Sequence, residues 1–440
     1  MKKPRELWID VRASFWAVPA VIVVAAALLA LLLIEWSEAF DDDTLRAWPR
    51  LFGAGADGSR AMLSAIAGSM ITVAGVVFSI TILALSLASS QYTSRVLRNF
   101  IRDRMNQAVL GIFVGIFAYC LVVLRTIRGG DEGAFVPGVA VLFAVVLAFV
   151  GIGVLIYFIH HIGTSIQASH IIAVVAADTL SAVDHLFPDA LGTPLEGRAE
   201  PDSARQREGG HTVPSLRTGF IQDVSFDALT EVARKRGAIL SMEHGVGEFV
   251  VEGTPLATLS VPGEVDDELV RRINDAYSFG RQRTVEQDAS YGIRQLVDVA
   301  LKGLSPGVND VTTSTLCVDY LTAILARLAN RRLDTPVAGG EPDRWVVAKG
   351  PTYADFVAAA FDQIRQNAEG TVAMLRHLLR ALRTLSDVTH TPSRRLVLLQ
   401  QVDAVTEVID RTVESVPERA ALAAEARQVW AVLQQKSSQA

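Results

Sequence analysis

Long uncharged apolar runs crowd the first 177 residues of the chain, and shorter amphipathic patterns fill the rest. Four segments reach the roughly 20 apolar residues that a helix needs to cross a hydrocarbon core. They lie at about residues 13–34, 62–90, 105–124 and 135–159. The first is too long for the apolar core of a secretory signal and reads as a retained helix. Trp16 and Trp36 flank it 20 residues apart, about 30 Å along a helix, the separation of two interfacial belts.

The second segment lies inside Ala61–Ser94, 34 residues without a formal charge. As one helix this run extends about 51 Å, against a core of roughly 30 Å. Thr72, Ser79, Ser86 and Thr93 recur every seven residues, and Gly75 shares their face. Such a stripe suits close helix packing or a polar path in which hydroxyl oxygens replace part of an ion's hydration shell. Gly111-Ile-Phe-Val-Gly115 is a small-xxx-small motif and reads as helix packing. The fourth run carries no Asp, Glu, Lys or Arg from Gly133 to Ala177. It is read as one helix that leaves the membrane near His160 and continues inward.

Beyond the apolar region, residues 178–218 read as a helix end followed by a polar, mobile loop centred on Pro188–Pro214. Residues 219–262 form a small αβ module. Gly219–Val224 and Ala238–Met242 have strand character, and a helix between them opens at Ser225 and ends near Gly237. Two further strands flank Glu252-Gly253-Thr254-Pro255 as a β-hairpin. That hairpin resembles the half-barrel element of biotinyl and lipoyl domains. It has no lysine at its turn, so the resemblance implies no prosthetic group. Residues 263–440 are helical: Val265–Phe279, Thr284–Leu304, Val311–Ala329 and several amphipathic helices over Tyr353–Gln435. Asn309 or Asp310 caps the helix at Val311, an N-terminus that can also hold an anion. The fold class is therefore a four-helix membrane region, residues 1–177, with a mainly-α cytoplasmic domain containing the αβ module.

Charge supports this division. Up to Ala177 there are 13 Lys and Arg against 11 Asp and Glu, leaving 28 against 36 beyond it. The mean hydropathy of +0.32 thus averages a membrane region and an acidic soluble one. An acidic balance argues against nucleic acid as a partner. Lys2, Lys3, Arg5 and Arg12, with Arg95, Arg98, Arg102 and Arg104, place eight cations on one side against five on the other. Both termini are then cytoplasmic by the positive-inside rule.

Signatures of catalysis are missing: no P-loop, HExxH, GxSxG or CxxC occurs. Gly53-Ala-Gly55-Ala-Asp-Gly58 matches GxGxxG, but no strand precedes it. Cys120 and Cys317 form no pair by spacing. No cofactor or metal is expected, and His160, His161 and His170 do not share one helical face.

Ser89-Ser-Gln-Tyr-Thr-Ser-Arg-Val-Leu-Arg-Asn-Phe-Ile-Arg-Asp-Arg104, Gln287-Asp-Ala-Ser-Tyr-Gly-Ile-Arg-Gln-Leu-Val-Asp298 and Leu304-Ser-Pro-Gly-Val-Asn-Asp310 together resemble the domain of unknown function 2254 family. Val311 stands where that family's proline is expected. The resemblance implies a bacterial inner-membrane protein with four spans and a cytosolic domain, and it carries no activity. The leading expectation is a homo-oligomeric channel or pore-like protein in the lipid bilayer, passing ions. Thr72, Gly75, Ser79, Ser86 and Thr93 would face its axis, and Arg95, Arg98, Arg102 and Arg104 would stand at its cytoplasmic mouth. The alternative is a membrane-anchored scaffold or sensor. Its helical domain would bind a partner or small ligand near Asp288, Arg294, Ser305, Asn309 and Asp310, residues that also read as a structural motif.

Overall fold

The computed structural model describes residues 16–39, 55–91, 104–128, 135–187, 210–260, 265–285, 287–333, 337–338 and 346–438. The chain divides into two compact units, Met1–His170 and Ile171–Ala440.

The first unit holds α1 (Ala17–Ala39), α2 (Ala56–Gln91), α3 (Arg104–Thr126) and α4 (Gly138–Ser165). All four contain stretches long and apolar enough to cross a membrane. Helix α3 is central, with Phe113, Ile116, Tyr119 and Val123 buried against the other three. Its glycine motif packs as the sequence suggests. A Cβ on Gly111 would stand 2.8 Å from Ile22 Cδ1 and 2.9 Å from the Pro19 backbone, and Gly115 meets Ile22 and Ala26. Helices α1 and α3 therefore run parallel at close approach. Tyr119 donates to the Ala140 carbonyl at 2.8 Å, and Arg60 donates to the Ile127 carbonyl at 3.0 Å. These contacts join the end of α3 to the starts of α4 and α2, an up-down order.

The apolar run after Gly133 is not one helix. Helix α4 closes at Ser165 with Ile166 as its cap, and Gln167 N–H returns to Thr164 O. Helix α5 (Ala168–Leu186) then opens the path into the second unit. The sequence gives no sign of this break because the side chains around it stay uncharged.

The second unit begins within α5, at Ile171, and its first described strands are β1 (His211–Pro214) and β2 (Gly219–Val224). Residues 188–209 lie outside the described residues, and His211–Pro214, read above as loop, is strand. Ser225 accepts from Ala228 N–H to open α6 (Phe226–Arg236), and Gly237 closes it at φ +60. Next come β3 (Ile239–Met242), β4 (Phe249–Val250), β5 (Pro255–Ser260), α7 (Asp267–Asp275) and β6 (Tyr277–Gly280). The strands form two sheets, one of order β4-β2-β6. The other is β1-β5-β3-β8-β7, where β7 is Val337–Ala338 and β8 is Val346–Val347. Two expectations change here. The turn at Gly253 (φ +85) is present, but the strands it joins enter different sheets instead of pairing as a hairpin. Residues 277–280 leave the expected helix to pair with β2, a position that suits Tyr277 and Phe279.

The helical part comprises α8 (Ala289–Leu304), α9 (Val311–Ala329), α10 (Tyr353–Asn367), α11 (Val372–Val388), α12 (Pro392–Thr412) and α13 (Val416–Ser438). Apolar residues every three or four positions bury one face of each, as in Leu375, Leu378, Leu382 and Leu385 of α11.

Candidate functional site

Helix α2 buries one face and leaves the other open. Leu63, Ala67, Met70, Ala74, Val77 and Ala84 face the bundle. Thr72, Gly75, Ser79 and Ser86 lie on the opposite, exposed side. Thr93, Arg95, Arg98 and Arg102 fall outside the described residues, while Arg104 is exposed at the first position of α3.

The exposed stripe is wider than the sequence reading drew it. Ala61, Ala65, Gly68, Thr72, Gly75, Ser79, Ile82 and Ser86 alternate at steps of four and three, all exposed. That is the spacing of a coiled-coil seam, built almost wholly from small residues. A Cβ on Gly68 or Gly75 would meet nothing within 4 Å, whereas Gly111 and Gly115 are filled by α1. The missed member, Gly68, was available in the sequence through its seven-residue distance from Gly75.

Two hydroxyls on this face have spent their protons. Thr72 donates to Gly68 O and Ser79 to Gly75 O, each at 2.8 Å. What they offer outward is therefore oxygen lone pairs. Acceptor oxygens favour cations over anions.

The other candidate residues lie on α8 or at its two ends and take structural roles. Asp288 caps the N-terminus of α8 and Ser305 its C-terminus, so 16 residues of helix, about 24 Å, separate them. Asp288 is buried and paired with Arg283 through Nε at 2.7 Å and a terminal nitrogen at 2.6 Å. Burial pushes its carboxyl up from the usual range, and the guanidinium pulls it back. Arg283 also lies over the Tyr291 ring, 5.4 Å from its centroid. Arg294 bridges Asp298 at 2.9 Å and Gln363 at 2.6 Å. At the far end Asn309 takes φ +49, and Asp310 accepts from Thr313 N–H at 3.0 Å and Thr313 Oγ1 at 2.5 Å. Those bonds hold the Asp310 carboxyl below its ordinary range. The carboxylate thereby fills the position an anion would take at the start of α9.

Sequence reading also missed the partner of Gly292. Thr179 on α5 presses against its α-carbon, 113 residues away in the chain. Asp184 of the same helix pairs with Arg327 at 2.9 Å and Arg331 at 2.7 Å. The motif 287–298 is thus occupied in holding α5 and α10 to α8.

Comparison with known proteins supports a membrane protein at family level. A family model described as "Predicted membrane protein (DUF2254)" matches residues 12–384. An uncharacterized protein of Mycobacterium bovis and one of Mycobacterium tuberculosis are each 34% identical over 372 residues, 82% of this chain and 70% of the relative. No solved structure matches.

Proposed function

The chain belongs to the DUF2254 family of predicted membrane proteins, and from that premise we propose that it is a homo-oligomeric pore-like protein of the bacterial inner membrane. It crosses four times with both termini cytoplasmic, and copies of α2 pack around a common axis. The observation that carries this reading is the open small-residue seam on α2. A glycine inside a helix costs about 1 kcal/mol relative to alanine, so Gly68 and Gly75 burden α2 for no packing gain within one chain. Close approach of a second helix supplies that gain, as α1 does at Gly111 and Gly115. The seam then places Thr72, Ser79 and Ser86 toward the axis, where the lone pairs of Thr72 and Ser79 suit cations.

Length supports the same arrangement. Helix α2 has 36 residues, about 54 Å, and outruns a hydrocarbon core of roughly 30 Å. A bundle of such helices extends its polar path beyond the bilayer. In the scaffold alternative the side chains of Asp288, Arg294, Ser305 and Asp310 already cap or brace helices, and Asn309 forms the positive-φ turn between two of them.

The test is the mass of the protein in nanodiscs together with ion flux after reconstitution. The proposal expects a defined oligomer and a flux that Ser79→Leu and Ser86→Leu each reduce. A monomer, or a flux indifferent to both substitutions, contradicts it.

A further inference from the structure

Strand β4 is the outer strand of its sheet and bonds on one side only, to β2. Ile221 N–H donates to Glu248 O at 3.0 Å, and Val250 stands opposite Gly219. By the alternation of an antiparallel ladder, the N–H and C=O of Phe249 and the N–H of Val251 point away from β2. Val250 is buried, while Phe249 is 52% and Val251 50% exposed. The Phe220 ring meets Phe249 edge-on at 5.0 Å. This edge is short, which limits unpaired backbone, but it carries apolar side chains and neither the lysine nor the proline that also blunt an edge.

Charges around the edge say what fits it. Glu252 is exposed, and its carboxylate is in no ion pair among the described residues. At the other end of the strand, Glu248 holds Lys349 at 3.3 Å and His244 at 2.7 Å. A two-fold pairing of β4 with its own copy, centred on Val250, sets Phe249 opposite Val251 of the second copy. It also brings Glu252 beside the Glu248–Lys349 pair of that copy, whose half-exposed ammonium then serves both carboxylates.

We infer that the β4 edge is an isologous contact between two copies of this chain, joined strand to strand at Phe249–Val251 and fastened by Glu252 to Lys349 of the second copy. The same edge offers outward main-chain donors and acceptors, an apolar cross-strand pair and the counter-charge for Glu252. Val251 O already accepts from Thr254 N–H and Thr254 Oγ1, so each Phe249–Val251 pair gains one main-chain bond, from Val251 N–H to Phe249 O, together with the apolar contact and the counter-charge. The inference stands apart from the α2 seam and does not depend on it.

Disulfide trapping of the full chain in nanodiscs tests it. Both native cysteines are buried and stay in place. Paired positions of an antiparallel ladder have Cα atoms about 5.5 Å apart, within disulfide range. Co-expressed, differently tagged chains carrying Phe249→Cys and Val251→Cys are expected to link about fivefold more than either variant links to itself, since like positions sit diagonally. Glu252→Lys, read for unchanged circular dichroism, is expected to cut that yield by a similar factor. Absence of linkage, equal yields in every combination, or indifference to Glu252→Lys would overturn the contact. A parallel Ser79→Cys sample reports on α2, so failure of one interface is read separately from failure of the other.

Discussion

Gly292 of α8 and Thr179 of α5 meet with no room for a Cβ between them, although Thr179 also donates to Val175 O at 2.6 Å and is fully buried. Gly292→Ala is expected to destabilise the second unit by about 1–3 kcal/mol through overpacking. Thr179→Ala removes the obstruction, so the double variant should lose less than the two singles combined. Thermal unfolding of the four proteins of this cycle measures the difference; strict additivity would place the two residues out of contact.

Asp310 predicts a pH dependence. Its folded carboxyl is held below the unfolded value by the Thr313 bonds. Its contribution is therefore present above the unfolded pKa, about 3.9, and is lost as pH falls through the lower folded value. Asp310→Asn keeps an N-cap but removes the titration, so its melting temperature should fall less steeply than wild type below about pH 4. At neutral pH, Asp310→Ala should cost about 0.5–2 kcal/mol.

Arg394 closes the other end of α9. It is buried and donates to the carbonyls of Leu328 at 3.0 Å, Ala329 at 2.7 Å and Arg331 at 2.9 Å. Its guanidinium also lies over Tyr353, 5.3 Å from the ring centroid. Lysine lacks this planar fork, so Arg394→Lys should cost nearly as much as Arg394→Ala. Each loss should exceed about 2 kcal/mol in denaturant unfolding. A silent Arg394→Lys would mean the three carbonyl bonds are not the anchor.

The two glycine motifs predict opposite behaviour. Gly75→Leu enters open space within one chain and should leave the fold of a single copy intact while breaking the oligomer. Gly111→Leu strikes Pro19 and Ile22 and should disrupt the bundle itself. Particle mass and thermal stability in nanodiscs separate the two effects.

Where a pattern is local, the sequence exposes it. The small-xxx-small motif at Gly111, the helix bounded by Val311 and Ala329, and the Ser225 and Gly237 ends of α6 all read directly, because caps and spacing act within a few residues. Partnering across the chain does not read that way. Strand β4 has two residues, too few to show which strand it joins. Tyr277–Gly280 continues an apolar pattern that suits a helix as well, and only pairing with β2 decides it. The separation of Asp288 from Ser305 and Asp310 did not read from the sequence, because only the 16-residue helix between Asp288 and Ser305 sets it. The α2 stripe was visible as a period of seven, while its exposure depended on which face α3 covers.

Current through planar bilayers containing the Ser79→Cys protein, before and after a charged, membrane-impermeant thiosulfonate reagent, tests the central claim most directly. If α2 lines an aqueous axis, the protein conducts cations, and modification at position 79 changes the current sharply while leaving wild type unaffected. A silent bilayer, or a current that the reagent does not alter, would contradict the account.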